Sequence, residues 1–139
     1  MTKTHTTNYY DTFIEIAEDS PVGFGEVPLA KNDKQTVASL QFELISKNPY
    51  KYTSDDVLFK VYALKNDLTE SELEEARKTF FSKGQPCFRA SPLTKRYGFG
   101  LFSNNEGKIA IYGAETREYE TFMNDNLIKK VKAMRSTKK

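Results

Sequence analysis

Between Lys83 and Phe102 the chain reads Lys-Gly-Gln-Pro-Cys-Phe-Arg-Ala-Ser-Pro-Leu-Thr-Lys-Arg-Tyr-Gly-Phe-Gly-Leu-Phe, gathering four cations, three hydroxyl side chains and the only cysteine. Arg89, Lys95 and Arg96 flank a turn at Pro92, and Ser91 and Thr94 add short hydroxyl donors. Guanidinium groups and hydroxyls in this combination hold phosphate or carboxylate oxygens through charge-assisted hydrogen bonds. Tyr97 and Phe99 offer ring faces for stacking. Gly98 and Gly100 either let a ligand approach the backbone or relieve a bulge beside large aromatics. The leading expectation is a site for an anionic small molecule, bearing phosphate or carboxylate, at Arg89, Ser91, Thr94, Lys95, Arg96 and Tyr97.

Cys87 is the candidate nucleophile, with Lys83, Arg89 and nearby main-chain amides available to stabilise a thiolate. It lacks a base within its own stretch. His5, the single histidine, reaches it only if the N-terminal arm folds over this region, and a cysteine in an apolar strand is more often an inert packed residue. Ser91 and Lys95 are four apart across Pro92, unlike the helical Ser-x-x-Lys pair of serine acyl-enzymes. Phosphate-cradling loops require glycines spaced before Lys-Ser or Lys-Thr, and Gly98-Phe99-Gly100 lacks the remaining glycine of a dinucleotide fingerprint. One Cys and one His are too few for a structural zinc site. No metal or cofactor is expected. Nucleic acid stays open as a partner through the basic and aromatic residues, without an RNP or zinc-finger signature.

Charge supports the same region. Residues 1–82 carry 9 Lys/Arg against 14 Asp/Glu (−5), whereas residues 83–139 carry 12 against 5 (+7). Anions belong with the second half, although a modest surplus is also what a solvated face looks like. At 139 residues, with 38% apolar and 13% aromatic content, the chain is the size of one domain that can bury a core unaided. No apolar run approaches bilayer length, and the first residues lack the apolar stretch of a signal peptide. A lone cysteine matches a reducing compartment, so a cytoplasmic location is expected.

The elements that must position these residues follow from periodicity. Thr12 to Ala17 reads as a strand, and Glu18 to Gln35, with its Pro, Gly, Asn and Asp, as a long loop. Thr36 to Lys47 fits both periods; a cap at Thr36 and a stop at Asn48-Pro49 favour helix. A second helix starts at Ser54 with Asp55 and Asp56 against its dipole and Val57, Val61 and Leu64 facing inward. Thr69 and Glu72 form a capping box for a helix over Glu70 to Ser82, striped by Leu73, Ala76, Phe80 and Phe81. Its glutamates complement the helix dipole and face water. Cys87 to Ala90, Tyr97 to Ser103 and Lys108 to Ala114 are strand candidates, the last two joined as a hairpin by residues 104–107. Thr116 caps a short helix carrying Tyr119, Phe122 and Met123. Leu127 to Arg135 reads equally as a basic helix or an edge strand, and residues 1–8 and 136–139 as flexible termini. This order predicts a single α+β domain, a small antiparallel sheet with a hairpin in its C-terminal half, covered on one face by several helices.

Thr12 to Asp19, Pro49 to Phe59, Lys83 to Phe102 and Lys132 to Ser136 together resemble a family of small bacterial proteins classed as a domain of unknown function. The resemblance spans nearly the whole chain and brings no activity, substrate or cofactor. It implies that Lys83, Gln85, Cys87, Arg89, Ser91, Arg96, Tyr97 and Arg135 belong to one shared design. Arg135 thereby joins the candidate anion site. Three functional readings follow: a binding domain for an anionic ligand, an enzyme using Cys87 or an Arg/Tyr-lined pocket, and a protein-interaction module with an apolar patch over Phe24 or Phe88.

Overall fold

The computed structural model describes residues 4–30 and 34–136; expectations that fall on residues 1–3 and 137–139 lie outside the described residues. Strand β1 (Thr12–Glu15) is followed by helices α1 (Val37–Lys47), α2 (Ser54–Lys65), α3 (Leu73–Phe80) and α4 (Pro92–Lys95). The hairpin β2 (Phe99–Ser103) and β3 (Ile109–Gly113) comes next, then helix α5 (Arg117–Asn124) and strand β4 (Lys129–Lys132). The strands form one sheet in the order β3-β2-β1-β4. The fold is α+β, with its hairpin in the C-terminal half.

The sheet is mixed where an antiparallel one was expected. β2 pairs antiparallel with both β1 and β3, whereas β4 lies parallel to β1. The connection explains the direction. α5 carries the chain from β3 at one edge across the sheet to β4 at the other, and a crossover returns the chain parallel rather than reversed. Leu127 to Arg135, ambiguous between helix and strand, therefore contains a strand. Its Val131 lies opposite Ile14 and packs against the main core, while Lys129 and Lys132 stay exposed.

Successive residues of a strand point to opposite faces, and here both faces are apolar. Ile14, Leu101 and Ile109 pack with Ile45 of α1, Val57 and Val61 of α2 and Leu93 of α4. Phe13, equally buried, points the other way into α5, with ring centroids 5.0 Å from both Tyr119 and Phe122. Phe102 stacks on Phe122 at 4.5 Å, and Tyr112 meets the same ring at 5.2 Å. Helices thus cover both faces, not one; a strand reading Phe-Ile in its middle leaves no side for water.

Local signals set the helix boundaries. Thr36 and Ser39 form a reciprocal capping box on α1, and Thr53 and Asp56 do so on α2. The stretch expected as one helix over Glu70 to Ser82 begins with a 3-10 turn, Glu70–Glu72, before α3, and the Glu72 carboxylate accepts from the Thr69 N–H and hydroxyl, each at 2.8 Å. α3 packs on the outer side of α2 through a second cluster, in which Phe59, Ala63 and Phe81 are buried and Phe80 is half-buried. At the N-terminus, Thr7 is buried against α2. Its N–H and hydroxyl both donate to Asp55 Oδ1 at 2.7 Å, and the Asp55 N–H donates to Asn8 Oδ1 at 2.9 Å.

The long loop is held by two Gly-Phe-Gly triplets that interlock, Gly23-Phe24-Gly25 and Gly98-Phe99-Gly100. Gly98 has φ +75°, and a Cβ there would overlap the Phe24 carbonyl oxygen; a Cβ on Gly25 would lie 2.6 Å from Phe99 Cε1. Glu26 N–H donates to the Tyr97 carbonyl at 2.8 Å, and Gly25 N–H to Glu115 Oε1 at 2.8 Å. That last bond is the main cause holding the Glu115 carboxyl below its usual value.

Gly98→Ala combines an unfavourable φ with a backbone clash and is expected to destabilise the protein by more than about 2 kcal/mol. Gly23→Ala, with nothing within 4 Å of its Cβ, should change stability by less than about 1 kcal/mol. Denaturant melts of both variants check the interlock. Phe81→Ala should cost about 3–5 kcal/mol, and the half-buried Phe80 less. Because the folded Glu115 value is depressed, its contribution is present above the unfolded value near 4.5 and is lost as pH falls through the folded one. The Gly25 amide resonance should follow that titration and stop doing so in Glu115→Gln.

Candidate functional site

The chemistry-bearing stretch folds as turns instead of the strand expected over Cys87 to Ala90. A 3-10 turn, Phe88–Ala90, leads into α4, with Pro92 as its first residue and Ser91 as its N-cap. Phe88 and Leu93 are core residues, and anchoring both within six positions forces the chain to turn. Ser91 Oγ accepts from the Leu93 N–H at 3.1 Å and donates to Gln41 Oε1 at 2.6 Å. Thr94, fully buried, donates to the carbonyls of Phe88 (2.5 Å) and Ser91 (3.3 Å). Both hydroxyls singled out for an anion have protein acceptors.

Of the cations, Arg89 is tied to the edge of β4, next to the residue before Arg135. Arg89 Nε donates to the Lys132 carbonyl at 2.7 Å, and the Met134 N–H donates to the Arg89 carbonyl at 2.7 Å. In a parallel pair the backbone groups of alternate residues face away from the partner, so Arg89 occupies groups that β4 leaves on its outer edge. Lys95 is half-exposed, Arg96 and Arg135 are exposed, and Tyr97 packs against the main core. Gly100 makes room for Phe13 and Tyr119. Arg89, Lys95, Arg96 and Arg135 line none of the clefts around α2 and α3.

Cys87 is half-buried, with its Sγ 3.4 Å from the Tyr9 hydroxyl. Burial, then the Cys87 contact, raises the Tyr9 pKa, with Arg89 opposing. Tyr9 therefore stays protonated near neutral pH and is no base for the thiol. The His5 N–H donates to the Phe81 carbonyl at 2.8 Å, and its ring lies beside Gly84. Phe88 is buried, so it contributes no surface patch; Phe24 is about half-exposed. Among the described residues no group of three His, Cys, Asp or Glu is placed to hold a metal, and no helix is long and apolar enough to cross a membrane.

A concave feature lies beside α2. A cleft of about 370 Å³ opens between α1, α2 and the 85–92 segment. Leu58, Val61, Phe80, Pro86, Ala90 and Pro92 make it predominantly apolar, and Cys87 and Ser91 belong to its wall. Gln41 is the unusual member. It is 3% exposed, its Oε1 is taken by Ser91, and its Nε2 donates to no group among the described residues. The side chain as a whole is buried, and its Nε2 is left for water or a bound group entering from the cleft. The sequence carried one signal for it: Ala38, Gln41 and Ile45 fall at helical spacing on the buried face of α1, where a glutamine is out of place.

The fold and cleft define an α+β domain with an apolar recess between its first two helices and the 85–92 segment. The chain belongs to a family of unknown function, DUF6157, whose model matches residues 4–139. No curated protein and no solved structure matches it.

Arg89→Lys keeps the charge but has no Nε to place on the Lys132 carbonyl. It is expected to cost up to about 1.5–3 kcal/mol, the range for a hydrogen bond to a charged group. Hydrogen exchange should accelerate at Val131 and Ala133 before the helices respond.

Proposed function

We propose that this protein is a binding domain for a small, largely apolar molecule, held in the cleft between α1, α2 and the 85–92 segment. The observation that carries the reading is Gln41 Nε2, a hydrogen-bond donor on a buried side chain in the wall of an apolar recess. Small-molecule sites combine this volume and apolar lining with a few placed polar groups. A ligand carbonyl or carboxylate oxygen accepts from the Gln41 amide in place of water, and the walls supply the burial energy. The Arg89 to Tyr97 stretch then acts as scaffold: Ser91 orients the Gln41 amide, and the turn that begins at Phe88 shapes one wall.

An environment-sensitive apolar dye and amide chemical-shift mapping test the site. Dye binding should shift the resonances of Val61, Cys87 and Ala90 and slow alkylation of Cys87. Ala90→Phe, which fills the recess, should weaken binding by about tenfold or more, the loss of one buried apolar contact. Phe24→Ser, on the distant loop, should bind as the parent does. Shifts confined to other surfaces, or an Ala90→Phe variant with unchanged affinity, would overturn the reading.

A further inference from the structure

Resting on the cleft being the binding site, we infer that its ligand is an apolar monocarboxylate. The lining contains no Asp or Glu, and its single charged side chain is Lys65. Lys65 Nζ donates to the Gln35 carbonyl at 3.2 Å, which leaves two of the three ammonium donors for other partners. The remaining rim amides are turned toward the protein: Gln85 Nε2 donates to the Phe80 carbonyl at 2.7 Å and Asn66 Nδ2 to the Tyr62 carbonyl at 2.8 Å. Their oxygens lie on half-exposed and exposed residues, where water satisfies them. Within the lining, the buried side chain whose donor takes no protein acceptor is Gln41, at Nε2, and the one charge is positive.

An acceptor with one negative charge answers both. A carboxylate places an oxygen on Gln41 and its charge in the field of Lys65, while its apolar body lies against Leu58, Val61, Phe80 and the two prolines. A phosphomonoester carries about two charges and three strong acceptor oxygens, more than one lysine and one amide can serve. An amine would bring a donor to a donor. The anionic partner expected from the sequence thus moves from the arginine-rich turn to the recess behind it.

Phenylbutyric acid, its primary amide and the matching amine form a series with a common body, to be titrated by calorimetry with amide-shift mapping. The acid should bind about tenfold tighter than the amide, the difference between charged and neutral hydrogen bonds, with the amine weakest. Lys65→Glu, an exposed substitution that leaves the core intact, should abolish or reverse the acid-over-amine preference. Equal affinities across the series, or an amine preference in the parent, with shifts still mapping to the cleft, would overturn the carboxylate inference and leave the cleft reading standing. No shift at Val61, Cys87 or Ala90 with any member would overturn both.

Discussion

Phe13 and Ile14 are neighbours on a strand of four residues, point to opposite faces of the sheet, and are both fully buried. The rest of the architecture answers that demand. One face takes α1, α2 and α4, and the other takes α5, whose passage across the sheet delivers β4 parallel to β1. Delivering β4 creates a new open edge, and an open edge exposes unpaired backbone groups. Arg89 occupies part of it with its side chain on the Lys132 carbonyl and its own carbonyl under the Met134 N–H. The position of Arg89 fixes the turn from Phe88 to Lys95, and that turn, through Ser91, fixes Gln41. The recess beside α2 is thus a downstream consequence of two apolar residues in the middle of β1.

Polar satisfaction separates scaffold from site along this path. Thr94 and Ser91 are buried, and every hydroxyl proton between them has an acceptor within 3.3 Å. Groups so engaged add about 0.5–1.5 kcal/mol each to a unique packing, and recruiting them to a ligand would forfeit that. Gln41 is different because Ser91 uses only its oxygen. Hydrogen bonding at one end of the amide sets its orientation and leaves the other end for water or a ligand in the cleft. A core built for stability alone would place an apolar residue at that point of α1.

Much of the fold was legible in the sequence because the informative features were local. The capping signals at Thr36, Thr69 and Thr116, the stop at Asn48-Pro49 and the hairpin over residues 104–107 all act within a few residues, and each element formed where its signal lay. Two kinds of feature were not legible. Strand direction at β4 depends on α5 crossing the sheet rather than turning back on β3, a fact carried by the sum of Phe13, Phe102 and Phe122 rather than by any short stretch. The strand expected over Cys87 to Ala90 failed because Phe88 and Leu93 must reach the same core, a requirement met by two consecutive turns that Ser91 and Pro92 favour. The α3 region shows the milder case, where the expected helix exists but its first turn tightens to 3-10 geometry around Glu72.

The candidate site illustrates why clustering in sequence and clustering in space diverge. Arginine, serine, threonine and tyrosine crowd together between residues 89 and 97, and in a loop such a set would converge on a ligand. Folded as two consecutive turns, the same residues radiate. Arg89 points to β4, Ser91 to α1, Thr94 back into its own turn and Tyr97 into the core, while Arg96 faces solvent. Short turns disperse successive side chains by roughly a third of a revolution each, whereas an extended segment returns every second one to the same side. Convergence at the recess comes instead from two consecutive helices and a later segment, with Gln41 on α1, Leu58, Val61 and Lys65 on α2, and Cys87 on the segment that closes the third wall. A polar residue on the inward stripe of a helix, and not a run of cations, is the mark by which this recess shows in the sequence.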